Sequence, residues 1–405
     1  MKSSILTIGD ELLGGYTLDS NGAWIGRKLM DIGIRTIWKT SVRDIKGEIV
    51  EGMALAVNKA DIVICTGGLG PTRDDVTMEA YCEFTGANLE MDEDYLELLR
   101  ERFSRRGVDM PESNLNQGLV PDRGTVIPNS KGSARGMSCT VDGTWLCILP
   151  GVPSEMKFMM EETVLPELEH MSPNELIITN IRTTGVMESK LHDLLEEAME
   201  ESPVNIAFLP GFSGVDLRLT ARDESAVAIL ASNIYDLAGK YIYAEDWVTL
   251  EQSVGESLRE KGLILALAES CTGGLLGDRI TNVPGSSEYF AGSVICYSDK
   301  AKINLVGVKS ETLNNFGAVS EETAAEMAAG VRKVFDADIG VSITGIAGPG
   351  GGTDEKPVGL TCLGLDDGMK PFTRSVTFSK DRRFNKELSA QTALNSVRLR
   401  ITGQI

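Results

Sequence analysis

The sequence predicts an α/β protein of three domains, and three observations carry that prediction. Short apolar, strand-like runs alternate with amphipathic, helix-like runs from the first residues onward. Glycine-bearing turns follow those runs in a chain that holds 43 glycines. At 405 residues the chain is too long for one ordinary core. Such alternation implies a parallel sheet with helices on both faces, whose ligand sites lie beyond the carboxyl ends of the strands.

Ile5 to Gly9 reads as a strand, Asn21 to Ile32 as a helix, Ile34 to Val42 as a strand and Lys46 to Asn58 as a helix. Asp61 to Cys65 is a short buried strand running into Thr66-Gly67-Gly68-Leu69-Gly70-Pro71. The first domain (residues 1–170) closes with the strand Trp145 to Leu149, the turn Pro150–Pro153 and a helix from Ser154 to about Glu169. Pro173 marks a break. The middle module (171–246, strand patterning from Glu175) has strands at Leu176–Thr183 and Val215–Thr220 and helices at Glu188–Glu200 and Glu224–Tyr235, a small α+β unit. The third domain (247–405) starts near Leu250 with an amphipathic helix and continues into a strand at 263–267.

A formal net charge of -20 argues against a general nucleic-acid or anionic-membrane binder. It leaves room for a small phosphorylated ligand in a local positive pocket. Seven cysteines include no CxxC pair, so a reducing cytoplasm is the simpler reading. Met1-Lys2-Ser3-Ser4 leads straight into a strand with no signal-peptide core, and no apolar run approaches membrane-spanning length.

The first chemical constellation is Gly67 to Thr77. Gly67, Gly68 and Gly70 allow close backbone approach to a phosphate, and Asp74 and Asp75 are two adjacent carboxylates of the kind that hold a hard divalent cation such as Mg²⁺. Glu11, directly after the first strand, is placed to reach the same crevice, and Lys131 and Arg135 in a second glycine-bearing loop are anion partners. The alternative is that these are turn glycines, with Asp74 and Asp75 as helix N-terminal charges.

The second constellation is Ala268-Glu269-Ser270-Cys271-Thr272-Gly273-Gly274, after an apolar strand and before a helix. A serine and glycines at such a junction put a hydroxyl and free N–H groups at a helix N-terminus. The only histidines, His170 and His192, are far upstream, so a nucleophilic Ser270 needs another base. A lysine neutralised by burial or by a neighbouring cation is the next candidate, and Lys300 and Lys302 lie together after Tyr297, which would relay or orient the proton. Glycine-loop N–H groups after Thr344 would serve as an oxyanion hole. Against this, Ser270 is equally read as a helix cap, Tyr297 as a core aromatic and Lys302 as a solvated helix residue.

These motifs resemble the CinA family. Gly9-Asp10-Glu11-Leu12, the run from Gly67 to Thr77 and Leu149 to Met156 are similar to its N-terminal domain, which resembles molybdopterin-binding domains of the MoaB/MogA type. The Ala268–Gly274 run, Pro284–Ser287, Tyr297–Lys302, Gly317–Ser320, Thr344–Pro349 and Lys356–Gly359 resemble, in order, its C-terminal domain, itself similar to stand-alone nicotinamide mononucleotide deamidases. The resemblance implies a MoaB/MogA-like doubly wound sheet, a KH-like module and an α/β deamidase domain. It implies a metal-dependent ADP-ribose pyrophosphatase at the N-terminal end, with Gly67, Gly68, Gly70, Thr72 and Lys131 binding substrate and Asp74, Asp75 and Glu11 holding the metal. At the other end it implies a cofactor-free nicotinamide mononucleotide deamidase with Ser270 as nucleophile, Lys302 as base and Tyr297 assisting. Ser287, Thr344 and Gly345 would join that site, and Arg382 would meet the nucleotide phosphate. It also implies a homodimer.

Two departures stand out. Asp299 replaces the family's usual asparagine and adds a negative charge beside Lys302, and Lys380-Asp381-Arg382 replaces Gly-Asp-Arg, with Lys386 where an arginine follows. The Arg182–Ser189 strand–turn–helix junction of the middle module carries no GXXG loop of the RNA-binding KH kind, and the neighbouring helix is acidic (Glu196, Glu197, Glu200, followed by Glu201), so a spacer or dimerisation role is favoured over RNA binding. Two other readings stay open: an N-terminal domain that only binds a pterin or nucleotide, and an interaction protein linked to competence or DNA damage.

Overall fold

The computed structural model describes residues 1–171, 176–212, 214–379 and 381–405. The break expected at Pro173, the start of the middle module at Glu175, and Lys380 lie outside the described residues. The chain divides into two compact units, Met1–Leu176 and Ile177–Ile405.

The first unit holds eight strands: β1 Lys2–Ile8, β2 Arg35–Val42, β3 Ile62–Thr66, β4 Leu89–Met91, β5 Leu119–Pro121, β6 Thr125–Ile127, β7 Gly136–Val141 and β8 Thr144–Leu149. Six of them form one sheet in the order β2-β1-β3-β8-β7-β6, and β4 pairs with β5. Successive side chains of a strand face opposite ways. Accordingly Ile5, Ile62, Ile64, Cys147 and Leu149 share one core with Ile25, Leu29 and Met156 from the helices on that face. Leu6, Ile8, Val63, Cys65 and Ile148 share the other, with Ile49, Met53 and Tyr81.

The sheet is not wholly parallel, as the alternation had implied: β7 runs antiparallel to both its neighbours, β8 and β6. The reason is a two-residue turn at Asp142 (φ 50°) and Gly143 (φ 83°). A turn that short can only join antiparallel neighbours, and Asp-Gly supplies the two left-handed residues it needs.

The second unit contains two sheets. The middle module is a four-stranded antiparallel sheet, β9 Ile177–Thr183, β10 Asn205–Gly211, β11 Gly214–Ala221 and β12 Ile242–Glu245, in the order β10-β11-β9-β12. Helices Glu188–Glu200 and Glu224–Ala238 cover it through Leu191, Leu195, Val227 and Leu230. The sequence reading missed β10, an edge strand carrying Pro210, and β12, only four residues long. Both escape a period-two search because neither has a long half-buried face.

The last sheet has β13 Leu265–Glu269, β14 Phe290–Ile295, β15 Ile339–Gly345, β16 Leu360–Asp366 and β17 Phe372–Thr377, ordered β14-β13-β15-β16-β17. The helix before it, Leu250–Lys261, starts with a reciprocal Thr249/Gln252 capping box and stops at Gly262 in the left-handed region. Leu265 and Leu267 pack on the C-terminal helix Arg382–Ile401, while Ala266 and Ala268 face Met327 and Val331 of helix Glu321–Val334. Strands β13, β14 and β15 are parallel, so their carboxyl ends share one edge. No helix among the described residues is long and apolar enough to cross a membrane.

Candidate active site

The shared edge brings Ser270, Cys296, Tyr297 and Thr344 together. Ser270 follows β13, and its N–H donates 2.9 Å to the Ile343 carbonyl of β15. The chain after β14 turns at Cys296 into helix Asp299–Val306, capped by Ser298. That helix buries Lys302 to 1 % exposure and aims it back under β13. The Lys302 ammonium nitrogen lies 3.1 Å from Ser270 Oγ and 3.1 Å from the Cys296 carbonyl oxygen. Ser270 itself is 6 % exposed.

Burial pushes the lysine pKa down, against smaller upward pulls from Cys296, Asp299, Cys271 and Tyr297. Asp299 is exposed and only partly offsets burial, so the departure from asparagine does not restore an ordinary lysine. The neighbouring cation Lys300 is exposed on the helix start, and burial is the cause instead. Cys271, beside Ser270, is no rival nucleophile at neutral pH, because burial pushes its thiol up to about 12.

Glu269 is a functional residue that the sequence reading missed. Its fully buried carboxylate accepts from the N–H groups of Gly274 (3.0 Å), Leu276 (3.1 Å) and Gly277 (2.9 Å) and from the Ser293 hydroxyl (3.0 Å). The free helix N-terminus expected to bind an anion is therefore filled by the protein's own carboxylate. Ser270 does not cap that helix either; its N-cap is Gly274. The only advance signal was a glutamate at the end of a fully apolar strand, which burial obliges to find donors.

The remaining expected residues divide. Thr344 donates its hydroxyl 2.7 Å to the Ala318 carbonyl, and Gly345 is where a Cβ would approach Cys271 Sγ to 3.1 Å. In the glycine loop, the Ile346 N–H is already taken by the Leu360 carbonyl (2.8 Å). Tyr297 is exposed and meets Lys302 through its backbone carbonyl, while its phenol accepts 3.3 Å from Arg382. Arg382 also donates 2.7 Å to the Gly348 carbonyl, and one helical turn on, Lys386 Nζ lies 4.0 Å from where a Cβ on Gly273 would stand. Ser287 does not join. It precedes β14, whose Phe290 pairs with Leu265 at the start of β13, a full strand length or about 15 Å from Ser270. The Lys356–Gly359 motif is a clasp: Lys356 Nζ donates to the Phe316 and Val319 carbonyls (2.5 and 2.7 Å).

In the first unit, the three glycines are explained by protein neighbours. A Cβ on Gly67 would lie 2.1 Å from the Ile8 carbonyl oxygen, one on Gly68 2.3 Å from Thr77 Oγ1 and one on Gly70 2.5 Å from Asp75 Oδ2. Gly67 also has φ 119°. Gly67→Ala is expected to cost about 3 kcal/mol or more. Urea unfolding followed by tryptophan fluorescence checks this, since Trp24, Trp38 and Trp145 all belong to this unit. A change below about 0.5 kcal/mol, the size of an ordinary surface substitution, would show that the turn yields.

Asp75 accepts from the Thr72 N–H (2.9 Å) and hydroxyl, so both groups are engaged locally. Asp74 is exposed. Asp44, absent from the sequence reading, accepts from the Asp10 N–H (2.9 Å), and burial together with the carboxylates of Glu11, Asp10 and Asp75 holds its carboxyl above the usual range. Among the described residues no three His, Cys, Asp or Glu side chains converge as a metal site. A cation caged by protein alone does not fit. Mg²⁺ needs only one or two carboxylates when phosphate oxygens supply the rest, a mode open to Asp75 and Glu11 as expected and also to Asp44, which they crowd. Lys131 stacks over the Phe158 ring at 5.5 Å, in a cavity of about 260 Å³ that the Gly67 turn does not line. Arg135 is no anion partner; it is buried on Asp92 (2.5 Å) and over the Tyr95 ring.

Residues 4–170 match the family model "Probable molybdopterin binding domain", 179–244 "Damage-inducible protein CinA KH domain" and 248–401 "CinA C-terminal domain". A "CinA-like protein" of Chloroherpeton thalassium is 41% identical over 414 residues, covering 98% of this chain and 99% of its own. A second "CinA-like protein", from Salinibacter ruber, is 41% identical over 407 residues with 98% and 99% coverage. A crystal structure titled competence/damage inducible protein CihA from Agrobacterium tumefaciens matches at 35% identity and a TM-score of 0.37, covering 38% of this chain and 93% of that one. The two CinA-like relatives, 41% identical over 98% of this chain, show that the chain belongs to the CinA family.

Proposed function

We propose that the chain is a bifunctional hydrolase of pyridine nucleotides, whose C-terminal domain deamidates nicotinamide mononucleotide. The observation that carries this reading is the buried 3.1 Å contact between Lys302 Nζ and Ser270 Oγ, with the lysine pKa lowered by burial. A neutral Lys302 takes the serine proton as Oγ bonds to the carboxamide carbon. The N–H groups of Cys271 and Thr272, which lie against the Cys271 sulfur, are the backbone donors next to Ser270 assigned to the developing oxyanion. The lysine proton then passes to the departing nitrogen, the C–N bond breaks and ammonia leaves an acyl-serine. Water, deprotonated by the same amine, attacks that ester and releases nicotinic acid mononucleotide with Ser270 restored. Arg382, by Tyr297 and Gly348, and Lys386, by Gly273, suit the phosphate monoester.

For the N-terminal domain the proposed activity is metal-dependent cleavage of the phosphoanhydride in ADP-ribose. A divalent ion held by one or two of the carboxylates Glu11, Asp44 and Asp75, with phosphate oxygens supplying the rest, would neutralise charge on the phosphoryl oxygens. The crowding of carboxylates around Asp44 supports it. The engagement of Thr72 by Asp75 favours the second reading, a non-catalytic pterin or nucleotide-binding module in a competence- or damage-associated protein. Metal-dependent cleavage lost at least about 100-fold in Asp44→Asn and Asp75→Asn, as loss of transition-state charge stabilisation predicts, supports the enzyme. Binding of ADP-ribose without cleavage under any divalent metal selects the module. The partners proposed are these nucleotides and a second copy of the chain.

A further inference from the structure

The middle module grips the C-terminal helix at separated points. Near the far end of the helix, buried Arg398 donates to the Ile242 and Lys240 carbonyls (2.9 and 2.6 Å). At mid-length Gln391 donates 3.0 Å to Thr184 Oγ1. Towards the start of the helix a cavity of about 690 Å³, walled by Val186, Phe378, Leu388 and Asn395, separates the two bodies. Beyond it Phe212, which follows β10, meets Phe384 with ring centroids 4.8 Å apart at 59°.

Two features make that ring pair mechanically significant. The arm bearing Phe212 has a stiff base: a Cβ on Gly214 would lie 1.9 Å from the Thr183 carbonyl oxygen, and Thr183 Oγ1 donates 2.6 Å to the Val215 carbonyl. The helix start, by contrast, lacks charge support from its own first turn. Its first turn carries Arg382 and Arg383 and no acidic residue, the wrong charge for a helix N-terminus. Its local supports are the Asp381 cap, accepting 2.7 Å from the Phe384 N–H, and buried Asn385, which donates to the Ala347 and Ser379 carbonyls (2.9 and 3.0 Å) and leaves the exposed Arg382–Phe384 side of the turn to other contacts. This same turn presents Arg382 to Tyr297 and Gly348, and Lys386 to the Ser270 turn.

We infer that Phe212 is a positioning residue: through Phe384 the β10–β11 arm holds the first turn of the C-terminal helix, and with it Arg382 and Lys386, beside the Ser270 turn. The middle module is then part of the substrate-binding apparatus rather than a spacer. The kinetic consequence rests on the deamidase reading, whereas the mechanical one does not.

The test uses the full chain with Phe212→Ala, Phe212→Tyr, Phe384→Ala and the double alanine variant. Phe212 is 56% exposed, so truncation removes little packing. In Phe212→Ala, KM for nicotinamide mononucleotide should rise about tenfold with kcat within about twofold, the pattern of lost substrate binding without lost chemistry. Phe212→Tyr keeps the ring and should match the parent. The double variant should be no worse than the poorer single one, because both remove one contact. Hydrogen exchange of residues 381–388 should quicken in Phe212→Ala. Unchanged exchange there overturns the inference, as do multiplicative KM effects or a kcat loss at constant KM. If the parent chain does not turn over nicotinamide mononucleotide, the deamidase reading falls and the exchange result alone decides.

Discussion

Ammonia release from nicotinamide mononucleotide is expected to fall about 10³-fold or more in both Ser270→Ala and Lys302→Met, since each removes a reacting group. The two losses should not multiply, because nucleophile and base act as one unit. In the parent enzyme the acidic limb of kcat/KM should lie below the ordinary lysine range, rising with pH as Lys302 loses its proton.

Stability should separate from activity. A lysine whose folded pKa is depressed binds fewer protons folded than unfolded, so stability rises with pH between the folded value and the ordinary one. At neutral pH the buried amine is therefore a cost. Removing it offsets the bond left unmade at the Cys296 carbonyl, and Lys302→Met should unfold within about 1 kcal/mol of the parent. Unchanged turnover in either variant, in protein of normal stability, would sink the amidase assignment.

Glu269→Ala is expected to be the most destabilising single change in the second unit. It strands two buried N–H donors, the part-buried Gly274 N–H and the Ser293 hydroxyl. The cost should be about 3–5 kcal/mol, the scale of breaking a buried charged network. Activity should fall with it, because the same turn sets the Ser270 hydroxyl and the N–H groups beside it. Glu269→Gln keeps one acceptor oxygen but points an NH₂ at donors, and should lose about half as much. Urea unfolding followed by circular dichroism measures both. If Glu269→Ala unfolds within about 0.5 kcal/mol of the parent, as an ordinary surface change would, the carboxylate does not organise the turn.

The legible parts of this protein were those written in short-range pattern. Ile62 to Thr66 and Leu265 to Glu269 announce themselves as buried strands, and the glycines after them announce turns. The Asp142-Gly143 turn was equally readable and would have predicted the antiparallel edge. Strand β10 was not, because an edge strand ending in Pro210-Gly211 has no strong alternation. In the site, Ser270 and Lys302 were reachable by asking what base a serine uses without histidine, and the family resemblance narrowed that question. Ser287 shares an ordered motif but ends up a strand length away, because motif order records sequence and not which end of the sheet a loop occupies.

By itself the sequence determined the α/β class, the placement of serine, lysine and glycine-rich turns near strand ends, and membership of a three-part family. Those follow from periodicity and turn chemistry, which are local. Only the tertiary structure decided which group answers the donors at the start of the helix after Ser270: Glu269, rather than an outside anion, at Gly274, Leu276 and Gly277. The physical reason is that a buried polar group must be satisfied by whatever the fold brings within about 3 Å, and that distance does not depend on separation along the chain.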